Sequence, residues 1–318
     1  MRLLHAELRK LNRPLFWCTA LGFALFAVLL AVGGASNAQQ YTQTSPVPGC
    51  AAMHLPASIS CAEAQRTAEA REEQTRPERL ASALHTAEQL TPLAGGAESA
   101  GLMASLPGVL VLSLLAGGHV GGEWTGHTLK SLLAQCGRRR RVLAAKVASL
   151  WLAAVGIMAA GWAGLALAGP LAAHVAGLPA GRLSLAHTVD RSAGQLGRAL
   201  LVLALFAAVG VLCSVLTRST VGTLGACSGV FVALLATAAL PGLGRWTPAT
   251  WVQNWMGFGA GESSITALPD NFWSRFLSAT GAAPSPLVTA LEAVALAGTA
   301  AACALVADTV FRRSDVTG

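Results

Sequence analysis

The sequence predicts an all-α integral membrane protein with six transmembrane helices, and three observations carry that prediction. Charged residues make up only 12% of the 318-residue chain, against about 25% in a soluble globular domain. Mean hydropathy is +0.55. The apolar residues gather into runs near the roughly 20 residues a helix needs to cross about 30 Å of hydrocarbon. With 53% of the chain hydrophobic and the runs uninterrupted, helices are favoured over a membrane β-barrel.

The runs lie near Leu15–Ala35, Leu102–Gly121, Val147–Ala168, Leu196–Val215, Thr220–Leu240 and Leu287–Phe311. Residues 1–318 read as a single transmembrane domain. The first run is too long for a cleaved signal peptide, and Ala35-Ser36-Asn37 is a poor processing site. Ahead of it, residues 1–13 read as a cytoplasmic interfacial helix. Leu4, Leu8 and Leu11 recur at helical spacing, with Arg2, Arg9 and Lys10 on the other arc. An ordinary cytoplasmic extension of the first span is the plainer alternative.

The distribution of basic residues sets the orientation. Arg2, Arg9, Lys10 and Arg13 precede the first span; Lys130, Arg138–Arg141 and Lys146 lie between the second and third. Arg218 joins the fourth and fifth, and Arg312 and Arg313 follow the sixth. These loops share one side, which is therefore cytoplasmic, with both termini there. On the opposite side Arg is diluted by acids such as Glu63, Glu72, Glu98, Asp190 and Asp270. The net charge of +7 is thus a topology signal and not a nucleic-acid footprint. Of 22 basic residues only Lys10, Lys130 and Lys146 are lysine. With the abundant Ala and Gly this composition points to a GC-rich bacterial genome, hence a multi-pass protein of the bacterial plasma membrane.

Two long segments face outward. Residues 36–101 read as an extracellular loop with a helical cap, irregular across Gln39–Pro46. It is helical from Ala62 to Leu90, where Glu72 and Arg76 support helix and Pro77 should break or restart it. Cys50 and Cys61 share this oxidising compartment. A disulfide there and a pair of free thiols are both open readings. Residues 241–286 read as an outer re-entrant or interfacial region. Trp251, Trp255 and Phe258 recur at helical spacing, followed by Phe272, Trp273 and Phe276. Short helices dipping into the outer leaflet would explain them, as would plain headgroup anchoring.

The stretch 122–146 departs most from its surroundings, with Glu, Trp, His and four consecutive arginines between two apolar runs. On a helical wheel Trp124, Thr128, Leu129, Leu132, Leu133 and Cys136 share one half, and His127, Lys130 and Ser131 the other. It reads as an amphipathic helix leaving the membrane at Gly121-Gly122. Glu123 stands in its first turn, where the helix dipole favours a carboxylate. Arg138–Arg141 then hold topology and anionic lipid.

Glu123, Gly126, Thr128, Leu129-Lys130, Leu132-Leu133, Arg140-Arg141 and Ala145-Lys146 resemble the segment after the second span in permease subunits of ABC-2-type exporters. The departure is His127, which separates the Gly from the Thr. The amphipathic first helix, six spans, the Leu216–Ser219 turn and the aromatic outer region extend the resemblance over the whole chain. It implies an ABC-2, type V exporter-like fold with a cytoplasmic coupling helix and re-entrant outer helices. It also implies a dimer, with a second copy or a paralogue, seated on two P-loop ATPase subunits. Glu123, Trp124, Thr128, Leu129, Lys130, Leu132, Leu133, Arg140 and Arg141 would couple to them. ATP and Mg would bind the partner and not this chain. In agreement, no lysine here follows a glycine, so no Walker A loop is present.

Other candidates are sparse. HExxH, GxSxG and CxxC are absent, so neither a metal site nor covalent catalysis is indicated. His119 reads as a satisfied polar residue. Asp308 stands four residues before Arg312 and should pair with it. Glu292, inside the sixth span, is a candidate intramembrane polar site. Gly225, Ser228 and Gly229 in the fifth span, and Gly156, Ala160 and Gly164 in the third, are small-residue stripes suited to close helix approach. The resemblance places the fifth-span stripe near a dimer seam and export path.

The reading reached is an exporter permease without its own ATPase site, moving a drug, antibiotic, lipid or peptide. An ion-coupled carrier using Glu292 as its proton site is one alternative. A membrane scaffold or sensor with an outer ligand-binding loop is another.

Overall fold

The computed structural model describes residues 2–42, 60–126, 139–178, 185–238, 246–257 and 286–313. These residues form helices and contain no strand. Helix α1 spans Arg2–Leu11 and α2 Pro14–Thr42. Next come α3, Cys61–Gln89, α4, Ala94–Met103, and α5, Leu106–Ala116. A π-helical turn, Gly117–Gly121, continues into a last turn, α6, Gly122–Thr125. The remaining helices are α7, Arg139–Val175, α8, Leu185–Thr217, α9, Thr220–Ala238, α10, Pro248–Met256, and α11, Pro286–Arg313.

Among the described residues, five helical stretches are long and apolar enough to cross a bilayer: Pro14–Gln40, Leu106–Thr125, Arg139–Val175, Thr188–Thr217 and Leu287–Arg313. The remaining expected span, the fifth, corresponds to α9, whose apolar helical part, Thr220–Leu234, is shorter. It is joined to α8 by a tight turn in which Arg218 adopts φ 53°.

Small residues decide how the spans meet. Along α2 the alanines Ala20, Ala27, Ala31, Ala35 and Ala38 are buried, while Leu21, Leu25 and Leu29 face outward. The alanine stripe lies on α7. A methyl added to Gly161 would fall 2.6 Å from Phe23, and one on Gly164 3.1 Å from the Ala24 carbonyl oxygen. So close an approach lets dispersion act over the whole seam where lipid supplies no hydrophobic drive. The core of the bundle is filled from α5, α7 and α8 by Leu112, Leu115, Leu150, Ile157, Leu203 and Val211.

Several element edges differ from the sequence expectation. Helix α2 continues to Thr42, so the first part of Gln39–Pro46 is helical and not irregular. Pro77 neither breaks nor restarts α3. A proline costs one backbone hydrogen bond, and Arg79 pairs with Glu72 across it. The N-terminus of α3 is held by Ser60, whose hydroxyl accepts from the Glu63 amide at 3.3 Å. The second span does not begin at Leu102. Leu102 and Met103 close the buried helix α4, and the chain restarts at Ser105 with Pro107 in the first turn of α5.

Candidate functional site

The basic end of the bundle holds a buried cluster of opposite charges drawn from three parts of the chain. Glu7 of α1 has no exposed surface, and Lys146 of α7 is 2% exposed. Lys146 Nζ lies 3.1 Å from Glu7 Oε2 and 2.6 Å from Glu123 Oε2. Lys10 Nζ donates to Glu7 Oε1 and to Glu123 Oε1, both at 2.9 Å. His119 Nε2 sits 3.3 Å from Glu7 Oε2 and 3.2 Å from the Ser149 hydroxyl. Two acids and two lysines thus neutralise each other around one histidine. Burying an ion is costly unless partners replace its water, and here each carboxylate takes more than one.

The electrostatics follow from that geometry. Burial pushes the Glu7 carboxyl up, but His119, Lys146 and Lys10 outweigh it and hold it well below the ordinary carboxylate range. Burial pushes the Lys10 ammonium down, and Glu123 and Glu7 reverse this, so its value is raised.

Local backbone geometry presents these groups. The π turn packs against the start of α9, where a methyl on Gly121 would stand 2.8 Å from the Ser219 carbonyl oxygen. The Ser214 hydroxyl donates to the Ala116 carbonyl oxygen at 3.2 Å, and Thr223 ties Ser214 to Ser219. With one face fixed there, His119 and Glu123 turn toward α1 and α7. Such π turns recur where a helix must re-aim a functional side chain.

One expectation is corrected here: the backbone stays helical through Gly121-Gly122 and does not bend there. Glu123 stands in the first turn of α6. It belongs to the last helical turn before Gly126, and it points inward to lysines. Trp124 packs edge-on against Phe311 at 6.0 Å, and the Arg218 guanidinium lies 5.4 Å from its ring centroid. Thr128, Leu129, Lys130, Leu132, Leu133 and Cys136 lie outside the described residues.

Arginines at the start of α7 serve the end of α11. Arg139 donates to the Arg312 carbonyl oxygen at 3.0 Å, satisfying a helix C-terminus that attracts cations. Asp308 takes both Arg312 and Arg140, each at 3.1 Å. Asp308 therefore has the expected i+4 partner and one that sequence spacing did not indicate. No such contact is described for Arg141.

At the opposite end, Glu292 of α11 is buried at 8% exposure. Its Oε1 accepts from Asn254 Nδ2 of α10 at 2.6 Å, and its Oε2 is buried without a hydrogen-bond partner. Trp255 donates to the Arg198 carbonyl oxygen at 3.0 Å. Phe258, Phe272, Trp273 and Phe276 lie outside the described residues.

The small-residue stripes separate into two kinds. The third-span stripe is consumed by α2, as described above. Gly225, Ser228 and Gly229 are exposed, and a methyl on either glycine would meet nothing within 4 Å. Cys61 is disulfide-bonded, and Cys50 lies outside the described residues. Cys18, Cys213, Cys227 and Cys303 are free. Among the described residues no group of His, Cys, Asp and Glu is placed to hold a metal ion.

The sequence reading missed Glu7 and the pairing roles of Lys10 and Lys146. A signal was present, because Glu7 falls on the apolar arc with Leu4, Leu8 and Leu11. An acid on the buried stripe of an amphipathic helix needs a buried cation.

A search among curated proteins finds no match to the chain. The family model described as ABC-2 family transporter protein matches residues 1–316. The chain is therefore a multi-pass membrane transport component and belongs to the ABC-2 family of transporter proteins.

Proposed function

We propose that the chain is the permease subunit of an ATP-driven exporter for a hydrophobic or amphipathic substrate. Permeases of this family generally work with separate ATP-binding subunits, and here such subunits would dock beneath residues 122–146. Both termini and the arginine-rich end face the cytoplasm, since Arg and Lys concentrate there. A second copy or a paralogue packs on the exposed Gly225–Gly229 face of α9.

The observation that carries this reading is the ion-pair cluster. Glu123 stands at the root of the 122–146 segment and is joined to α1 through Lys10 and to the third span through Lys146. Trp124 adds α11 and the α8–α9 turn. Force applied below Thr125 therefore reaches several spans through rigid, buried contacts. Glu123 acts by anchoring the lever and not by touching the ATPase itself.

The test is Glu123→Gln in the complex with its ATPase subunits. It should leave the complex assembled and lower coupled ATP hydrolysis by about tenfold, equivalent to about 1.4 kcal/mol of lost coupling. Unchanged hydrolysis would remove the proposed role of the cluster. An ion-coupled carrier is the competing reading, favoured by the buried position of Glu292. It requires transport that survives without any ATPase.

A further inference from the structure

We infer that Glu292, with Gln195 and the C-terminal end of α10, forms a binding site for the ammonium head of an amphipathic organic cation. The inference rests on the exporter reading only in making that cation a cargo; the binding site is argued from this chain alone.

Glu292 lies inside a membrane-spanning helix, and 92% of its surface is removed from contact (8% remains exposed). Asn254 takes one carboxyl oxygen at 2.6 Å and leaves the other buried without a hydrogen bond. No cation pairs with Glu292 among the described residues. The Arg198 guanidinium, on the neighbouring α8, is instead 5.9 Å from the Trp255 ring. A second orphan acceptor stands at the same end of α10. Gln195 donates to the Met256 carbonyl oxygen at 3.1 Å, and its Oε1 is buried without a partner. Asn254 and Met256 are two residues apart, so one helical turn carries both contacts. That turn ends in Gly257 with φ 78°, leaving the negative end of the α10 dipole at the same place.

The chemistry missing from this place is positive charge with N–H donors. Orphan buried acceptors cost free energy until a donor arrives. A metal ion of the alkali or alkaline-earth type would want about six oxygen ligands, more than the two unpartnered oxygens offer. An ammonium group carries three donors and suits two or three acceptors. An alkyl tail would extend from the head into the hydrocarbon around α11, whose outward face carries the exposed Leu287, Leu291 and Val294.

The experiment titrates the full-length chain in lipid nanodiscs, without ATPase, with decylamine, decanol and decanoate, subtracting empty discs. Saturable binding of decylamine alone is expected. Glu292→Gln keeps the acceptor for Asn254 and removes the charge, and should weaken decylamine by about tenfold, the worth of one charge-assisted contact. Gln195→Ala, with Glu292 intact, should weaken it by a smaller factor of about three. Equal binding of the amine and the alcohol, or wild-type affinity in Glu292→Gln, overturns the site. Displacement by sodium chloride but not by choline chloride makes the occupant an inorganic ion and overturns the organic assignment. Binding intact in the discs, with no ATP-driven export of decylamine by the complex reconstituted with its ATPase subunits, would count against the exporter reading and not against the site.

Discussion

Lys146 Nζ lies 3.1 Å from Glu7 Oε2, a contact between residues 139 positions apart that fastens the first helix to the third span. Both groups are buried, so removing either one leaves the cluster with an unbalanced charge. Glu7→Leu should lower stability by about 3–5 kcal/mol, the cost of an uncompensated buried charge. Thermal unfolding of the purified chain checks this. The double variant Glu7→Leu/Lys146→Met should lose much less than the sum of its single changes, because the pair is removed together.

The cluster also fixes a pH window. The folded-state value of Glu7 is depressed below its ordinary 4.5, so its contribution is present above that value and is lost as pH falls below it. The Lys10 value is raised above its ordinary 10.5, so its contribution is complete below 10.5 and is lost as pH rises through the folded value. Docking of α1 through these two groups should therefore hold steady between the two limits. Melting curves taken across pH 4.5 to 10.5 should show no loss assignable to Glu7 or Lys10, and Glu7→Gln should abolish the acid-side fall.

Glycines in the third and fifth spans should respond in opposite ways. Gly161→Leu drives its side chain into Phe23 and should cost about 1–3 kcal/mol of monomer stability. A Cβ at Gly225 or Gly229 meets nothing within 4 Å among the described residues, so Gly225→Leu and Gly229→Leu should be accommodated within the monomer. They should leave the monomer's melt unchanged and shift the population from dimer to monomer, read by crosslinking in membranes. A lower melt with an intact dimer would reverse the assignment of that face.

Trp124 should report on the junction of four elements. Trp124→Ala removes the edge-on contact with Phe311 and the cation above its ring. Together these are worth about 1–2 kcal/mol. Hydrogen exchange at the C-terminal end of α11 should rise accordingly.

The spans were legible because lipid imposes long, nearly charge-free runs, and Leu15–Ala35 or Leu196–Val215 can be read in no other way. The short, buried α4 was not, because a ten-residue segment made mostly of Ala, Gly and Ser carries neither span length nor amphipathic contrast. The π turn at Gly117–Gly121 has no periodic signature either. Glu123 was recognised by its setting, but its partners were not. Glu7, Lys10, His119 and Lys146 come from separate segments, and only the packing of α1 on α7 brings them together. Pro77 misled for a different reason: α3 runs through it unbroken, at the loss of one backbone hydrogen bond.

The central claim is that an ATP-binding subunit grips the chain just below this cluster. The most direct measurement is co-purification of a co-expressed P-loop ATPase subunit with the wild type, with Leu132→Asp/Leu133→Asp and with Glu123→Gln. The account predicts that the ATPase is lost from the leucine variant, and that it is retained but poorly coupled in Glu123→Gln. Retention by the leucine variant, with wild-type hydrolysis in both, would contradict it.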